Sequence, residues 1–397
     1  MRNNWEVATL SDVSFVTDFS ANGSFAGLRE NVKYIYQPDY AILLRLVDFN
    51  RNWDGDFVYI PKHSYDFLKK CQLDPGDVII ANIGANAGTL FRAPDLCKPS
   101  ALGPNALVIK THNYPNTSKE YLYYYFISPA GQNQIQSLIS GSAQPKFTKT
   151  DIRNLKIPFP PLPEQRAIAG ILGDLDEKID VNRRMNTTLE SVAQAVFRKW
   201  FVENEEAISW EETPLDEIAN FLNGLALQKF PPEGNEFLPV IKIAQMRKTN
   251  TEGADKASTN IPPQYIIEDG DILFSWSGSL EVVVWCGGKG ALNQHLFKVS
   301  SDKYPKWFYY YWTKYHLLDF QEIAAGKATT MGHIQRYHLS AAKVFVPNDD
   351  KLHEMDRHMS PLLQRIIVNN LESRTLASLR DSLLPKLMRG EVRVKGG

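Results

Sequence analysis

Residues 181–201 repeat in residues 368–388, and this repetition constrains the fold more than any other feature of the chain. A constant offset of 187 aligns Val181 with Val368, Asn182 with Asn369, Leu189 with Leu376, Ser191 with Ser378 and Lys199 with Lys386. Further upstream the echo persists with a drifting offset. Trp5-Glu6 answers Trp210-Glu211, Pro75-Gly76-Asp77-Val78-Ile79 answers Asp269-Gly270-Asp271-Ile272-Leu273, and Tyr121–Phe126 answers Trp307–Trp312. A period this long is no solenoid repeat; it means two copies of one domain plus one helix. The drift places the insertions and deletions in the globular parts. The expected fold class is α+β: two mixed α/β globular domains separated by a long antiparallel two-helix coiled coil, with pseudo-twofold symmetry.

The chain of 397 residues is long enough for two domains with their own cores. Its start, Met1-Arg2-Asn3-Asn4-Trp5-Glu6, lacks the apolar core of a signal peptide, and no apolar run is long enough to span a bilayer. Cys71, Cys97 and Cys286 show no metal-ligand spacing, which suits reduced thiols in the cytoplasm. The formal net charge is −1. A protein that gripped DNA alone is usually more basic. Either DNA is not the partner, or the charge is locally sorted, or other subunits supply phosphate contacts.

The segment Asp77–Ile83 reads as a buried strand opened by the Pro75-Gly76 turn, and Ala106–Ile109 as a second. Glu120–Ile127 and Pro129–Ser140 read as helices, with Ser128 capping the latter. Pro158–Pro163 reads as a stiff extended linker. From Glu164 a helix is expected to about Glu203. Its seam at alternating steps of four and three runs Ile168, Leu172, Leu175, Ile179, Asn182, Asn186, Leu189, Ala193, Val196, Trp200. The copy runs Met355, Met359, Leu362, Ile366, Asn369, Ser373, Leu376, Arg380, Leu383, Leu387. Leu175, Ile179, Asn182, Leu189 and Val196 are thus expected to pair with Leu362, Ile366, Asn369, Leu376 and Leu383. Polar layers in mid-seam set register at a cost in stability. Pro385 is expected to kink or end the second helix. The boundaries are 1–157, 158–206 (linker and first helix), 207–347 and 348–397 (second helix and tail).

Catalytic signatures are missing. There is no phosphate-binding Gly-x-x-x-x-Gly-Lys loop, no dinucleotide fingerprint, no amino-methyltransferase motif and no histidine pair at zinc spacing. Two polar clusters remain. The first holds Ser142, Gln144, Lys146, Lys149, Arg153 and Lys156; a helix there would line its four basic residues on one face. The second, at the matching place in the other half, holds Lys327, Thr329, Thr330, His333, Gln335 and Arg336, with His338 beyond. Such side chains contact phosphates and base edges, although a charge run is also an ordinary solvated face. The tyrosine runs Tyr123–Tyr125 and Tyr309–Tyr311 suit core packing better than base stacking.

Ile157-Pro158-Phe159-Pro160-Pro161-Leu162-Pro163-Glu164-Gln165, followed by a helix carrying Leu175-Asp176-Glu177-Lys178-Ile179, resembles the central region of type I restriction–modification DNA specificity subunits. The second copy, Val346-Pro347-Asn348-Asp349-Asp350-Lys351, departs from that entry motif. The resemblance implies a non-catalytic subunit with two target-recognition domains, each reading one half of a split double-stranded DNA target, and two helices acting as a spacer. It implies two methyltransferase subunits docked on the helices and restriction subunits beyond them. Cofactors are then expected on those partners only: S-adenosylmethionine for adenine methylation, ATP and Mg for translocation and cleavage. Forty helical residues span about 60 Å, roughly 18 base pairs. The competing reading is a pseudo-dimeric coiled-coil scaffold whose domains bind proteins. Salt-dependent retardation of DNA separates the two.

Overall fold

The computed structural model describes residues 5–141, 143–326 and 332–394. They form two compact units, one of residues 1–177 with 377–397, the other of residues 178–376. The division falls inside two helices, Leu162–Phe201 and Asp349–Met388, each of 40 residues. Each long helix is therefore shared between the units, where the sequence suggested a separate element.

In the first unit Glu6–Thr9 pairs antiparallel with Lys156–Phe159. A four-stranded antiparallel sheet runs in the order Phe15–Asp18, Ala106–Lys110, Val78–Ala81, Leu90–Arg92. A second sheet runs Tyr59–Ile60, Ala41–Leu44, Ser100–Leu102, Gln72–Leu73, with one parallel pair. Strand periodicity explains the layering. Val78, Ile80, Leu107 and Ile109 face a core built with helices Lys119–Ile127 and Pro129–Leu138. Ile79 and Val108 face the second sheet. Strands covered on both faces read as continuous apolar runs, as Val78–Ala81 does.

The second unit repeats this plan strand for strand. Glu211–Pro214 pairs with Lys343–Val346. The sheets run Asn220–Asn223, Leu296–Ser300, Ile272–Ser275, Val282–Val284 and Lys256–Ala257, Leu238–Ile241, Gly290–Leu292, Ile266–Ile267. Ile272 and Phe274 face the aromatic helix Lys306–Tyr315; Leu273 faces the second sheet.

The Pro-Leu-Pro-Glu-Gln entry acts as a lock inside the first unit. Gln165 is fully buried, donates to the carbonyls of Pro160 (2.8 Å) and Asn116 (3.1 Å), and accepts from the Ser118 N–H (2.9 Å). Glu164, expected only to favour the helix dipole, also accepts from the Trp5 indole (3.0 Å) and from both arms of Arg393 (2.6 and 3.0 Å). The helix begins at Leu162, inside the expected linker, because a proline in the first turn lacks only an N–H that the helix does not use. Pro385 does not end the second helix, which runs to Met388. Leu384, Leu387 and Met388 enter the first unit's core beside Ile168 and Leu172, and that burial offsets the proline's cost of about 3 kcal/mol.

Within each unit the helices run antiparallel. Arg380 Nη1 meets Asp176 Oδ1 at 2.6 Å in the first, and Asp176 Oδ2 accepts from the Tyr124 hydroxyl at 2.7 Å. In the second, Asn182 Nδ2 donates to Glu372 Oε2 (2.9 Å), and Asn369 Nδ2 donates to Asn186 Oδ1 (2.8 Å). Of the expected pairing residues, Asn182, Ile366 and Asn369 are buried, while Leu175, Ile179, Leu189, Val196, Leu362, Leu376 and Leu383 are half-buried. Val196 and Leu362 also pack against the second unit's core, and Leu383 against the first. The helices thus have a second apolar partner, their own domains, which the sequence reading denied them.

Asn369 Oδ1 is buried without a hydrogen-bond donor. An orphaned carbonyl costs about 1–3 kcal/mol. Replacing Asn182 and Asn369 together by leucine is therefore expected to raise the melting temperature while loosening register. Calorimetry reads the sign, and a lower melting temperature refutes the register role.

Candidate nucleic-acid interface

The duplicated scaffold brings corresponding loops to the same end of each main sheet. In the first unit the loop leaving strand Val78–Ala81 zips to the segment before helix Lys149–Arg153. Gly84 N–H donates to Pro145 O (2.9 Å), Phe147 N–H to Asn82 O (3.1 Å), and Asn82 Nδ2 to Phe147 O (3.0 Å). In the second unit Gly278 N–H donates to Gly332 O (2.8 Å) and Ile334 N–H to Trp276 O (3.0 Å). The loop before each sheet's second strand closes the rim: Asn82 N–H bonds Asn105 O, and Trp276 N–H bonds His295 O. Bridges Ile83–Lys146 and Ser277–His333 occupy the same place.

Backbone is repeated here and side chains are not. The first rim is built from Asp18, Asn82, Asn105 and Lys146: Asn82 is buried and Asp18 is held by Lys149, while Lys146 and Asn105 are exposed, Asn105 in the left-handed conformation (φ 66°) that asparagine tolerates. At the equivalent positions the second presents Asn223, Trp276, His295 and His333. Trp276 Nε1 donates to Asn223 Oδ1 (2.9 Å), and Ser277 Oγ lies 2.9 Å from His295 Nδ1. One rim carries two amides with an acidic and a basic group, the other an indole and two imidazoles with one amide. Hydrogen-bonding groups of this kind suit base edges.

The clusters singled out from sequence lie around these rims, in differing states. Lys146 and Gln144 are exposed beside the first. Lys149, Arg153 and Lys156 do not share a helical face with Lys146. The helix spans only Lys149–Arg153, and Lys156 begins a strand. The cause is a capping box, in which Thr148 Oγ1 accepts from the Asp151 N–H and Asp151 accepts from the Thr148 N–H (2.8 Å), so helix starts after Lys146. Lys149 pairs with Asp18 at 2.8 Å, and Arg153 donates to Val16 O. Arg336 donates to Phe221 O (3.2 Å), at the matching place on the second sheet, beside exposed Gln335. These three cations tether their helices to the sheet. Ser142, Lys327, Thr329 and Thr330 lie outside the described residues.

Sequence reasoning missed Asn82, Asn105, Asn223, Trp276 and His295. A signal was available: the repeat continues past Asp77 and Asp271, and carrying its register five residues on aligns Asn82 with Trp276, where the copies diverge. Among the described residues no three His, Cys, Asp or Glu side chains are grouped to hold a metal, and no helix is long and apolar enough to cross a membrane.

Comparison with known proteins finds the duplication again. Residues 3–191 and 208–376 each match the family model described as type I restriction modification DNA specificity domain. The MjaIX specificity subunit of Methanocaldococcus jannaschii is 25% identical over 303 residues, 70% of this chain and 69% of that one. The HindI specificity subunit of Haemophilus influenzae is 20% identical over 420 residues, 81% and 88% of the two chains. The S subunit crystal structure from M. genitalium superposes with a TM-score of 0.60 at 17% identity, covering 97% of this chain and 96% of that one, a likeness of fold. With two copies of the family's domain spanning nearly all of its length, this chain belongs to the type I restriction–modification DNA specificity family.

Proposed function

We propose that the chain is the non-catalytic specificity subunit of a type I restriction–modification complex, each rim reading one half of a bipartite double-stranded DNA target. The observation that carries this is the rim itself, two repeated backbones bearing different polar groups. A duplicated scaffold with diverged side chains suits a target of two related but unequal halves. The long helices fix the gap between half-sites and dock two methyltransferase subunits, with restriction subunits beyond. S-adenosylmethionine, ATP and Mg belong to those partners, and the setting is the cytoplasm. Near-neutral net charge fits a reader whose phosphate contacts are shared with partner subunits. Gln144, Lys146, His333 and Gln335 flank the rims as further DNA contacts; Ser142, Lys327, Thr329 and Thr330 are proposed for the same role from sequence.

The test exchanges residues 1–157 for the corresponding domain of a family member. Sequencing methylated adenines in cells carrying the exchanged subunit with its methyltransferase is expected to show one half of the target replaced and the other retained. A change in both halves, or in neither, overturns the reading.

A further inference from the structure

Arg45 lies beside the first rim with part of its guanidinium uncommitted. Its Nε donates to Asp48 Oδ2 (3.1 Å) and its Nη2 to Asp48 Oδ1 (2.7 Å), a two-pronged contact. Asp48 is only 3% exposed and is itself fixed by the Arg45 N–H, which donates to Oδ2 at 2.8 Å. One edge of the guanidinium is thus clamped to a buried carboxylate. The other, Nη1 with the second Nη2 proton, has no protein acceptor among the described residues. The Arg45 side chain keeps 31% of its surface exposed.

The free edge has an address. Arg45 lines a cavity of 380 Å³ with Tyr34, Tyr36, Ile83, Pro104 and Asn105. Ile83 and Asn105 belong to the first rim. Tyr36 is 75% exposed and Tyr34 47%, so two phenol rings stand open beside the guanidinium. In the second unit the matching residues are Lys242 and Gln245, and Lys242 Nζ is paired with Asp255 at 2.5 Å. At this place in the fold the second unit carries a lysine and not a clamped arginine.

We infer that Arg45 is a specificity-determining residue that reads a guanine in the first half-site, a proposal that rests on the DNA-reading role given above. A guanidinium offers two parallel N–H groups on one edge, and guanine offers O6 and N7 as paired acceptors in the major groove. A free arginine must lose rotamer freedom to make that contact. Asp48 holds the plane in advance, so less is lost on binding. The carboxylate also offsets the positive charge. Arg45 is therefore suited to hydrogen-bonded recognition and poorly suited to general attraction of phosphates.

The test uses the full chain in complex with its methyltransferase subunits, incubated with a randomised duplex pool, and sequences the bound fraction. Wild type is expected to enrich a bipartite motif with a G·C pair in the half assigned to residues 1–157. Arg45→Gln is expected to lower the guanine preference at one position of that half by roughly five- to a hundred-fold. The other half-site keeps its preferences, which certifies a folded chain. Asp48→Asn is expected to move the same position less. The slope of affinity against salt stays unchanged, whereas loss of a phosphate contact lowers it by about one. A motif without G·C in that half, unchanged preferences in Arg45→Gln, or uniform weakening over all sequences with a lower salt slope each overturns the inference. No bipartite motif in wild type overturns the DNA-reading role instead.

Discussion

Replacing Gly131 by alanine is expected to unfold the first unit at temperatures where the wild type is folded. Gly131 sits in the first turn of helix Pro129–Leu138, tucked under the preceding helix. A Cβ there falls 2.2 Å from Tyr125 O and 2.6 Å from Phe126 Cα. Both are backbone atoms, so no rotamer relieves the clash. The local hydrogen bonds, Ser128 Oγ to Tyr125 O (2.6 Å) and Gly131 N–H to Ser128 Oγ (3.3 Å), break if the helices part. Overpacking at such a site costs about 3 kcal/mol or more. Gly224→Ala does the same in the second unit, where the Cβ meets Asn293 O at 2.2 Å. Gly170→Ala is the control. It lies within the first long helix with nothing within 4 Å of a Cβ, and alanine there is expected to stabilise by about 0.5–1 kcal/mol. Thermal melts of the three variants give the signs directly; a Gly131→Ala protein as stable as wild type refutes the packing described here.

Alkaline pH is expected to unfold both units cooperatively. Burial, the largest cause, pushes Tyr125 and Tyr309 up to about 12. It pushes Tyr121, Tyr124, Tyr310 and Tyr311 up as well, helped by Asp176 at Tyr124 and by Glu190 at Tyr310 and Tyr311. The ordinary phenol value is about 10. Folded-state values above the unfolded value mean that the native state holds protons the unfolded state has released. The contribution is therefore fully present below about pH 10 and is lost as pH rises toward the folded values. Each such tyrosine contributes a slope of about 1.4 kcal/mol per pH unit. With three per unit, a domain's stability of about 5–15 kcal/mol is exhausted within a few pH units. Phenolate absorbance and circular dichroism are expected to change together in one step. Smooth phenolate titration near pH 10 with an unchanged dichroism spectrum contradicts this.

The elements differ in how far sequence betrayed them. The repeat was open to view because Asn182, Leu189 and Lys199 recur at one offset, and duplicate cores need duplicate side chains. Both tyrosine runs pack as expected, since apolar helices hide aromatic faces. The sheets were less accessible. Strands of two to five residues carry little periodicity, and pairings such as Phe15–Asp18 with Ala106–Lys110 join segments far apart in sequence. The Thr148-x-x-Asp151 box sets the helix start at Lys149, three residues after Lys146, and the spacing of the basic residues alone does not carry that signal. Arg45 was invisible as a site, because only the fold shows that its partner Asp48 is buried and that Asn105 lies across the same cavity.

The first unit is discontinuous in the chain. Leu384, Leu387 and Met388 complete the core that Ile168 and Leu172 open, and Arg393 closes on Glu164. The second unit, residues 178–376, is one uninterrupted stretch. On the ribosome this inverts the usual order of maturation. The amino-terminal domain emerges first but waits, with part of its apolar face uncovered, for the last helix to be made. The carboxy-terminal domain has all of its chain beforehand. A premature stop after Leu376 leaves the later-made domain intact and the earlier-made one unfinished, so quality control acting on truncated copies meets its exposed surface at the amino-terminal end.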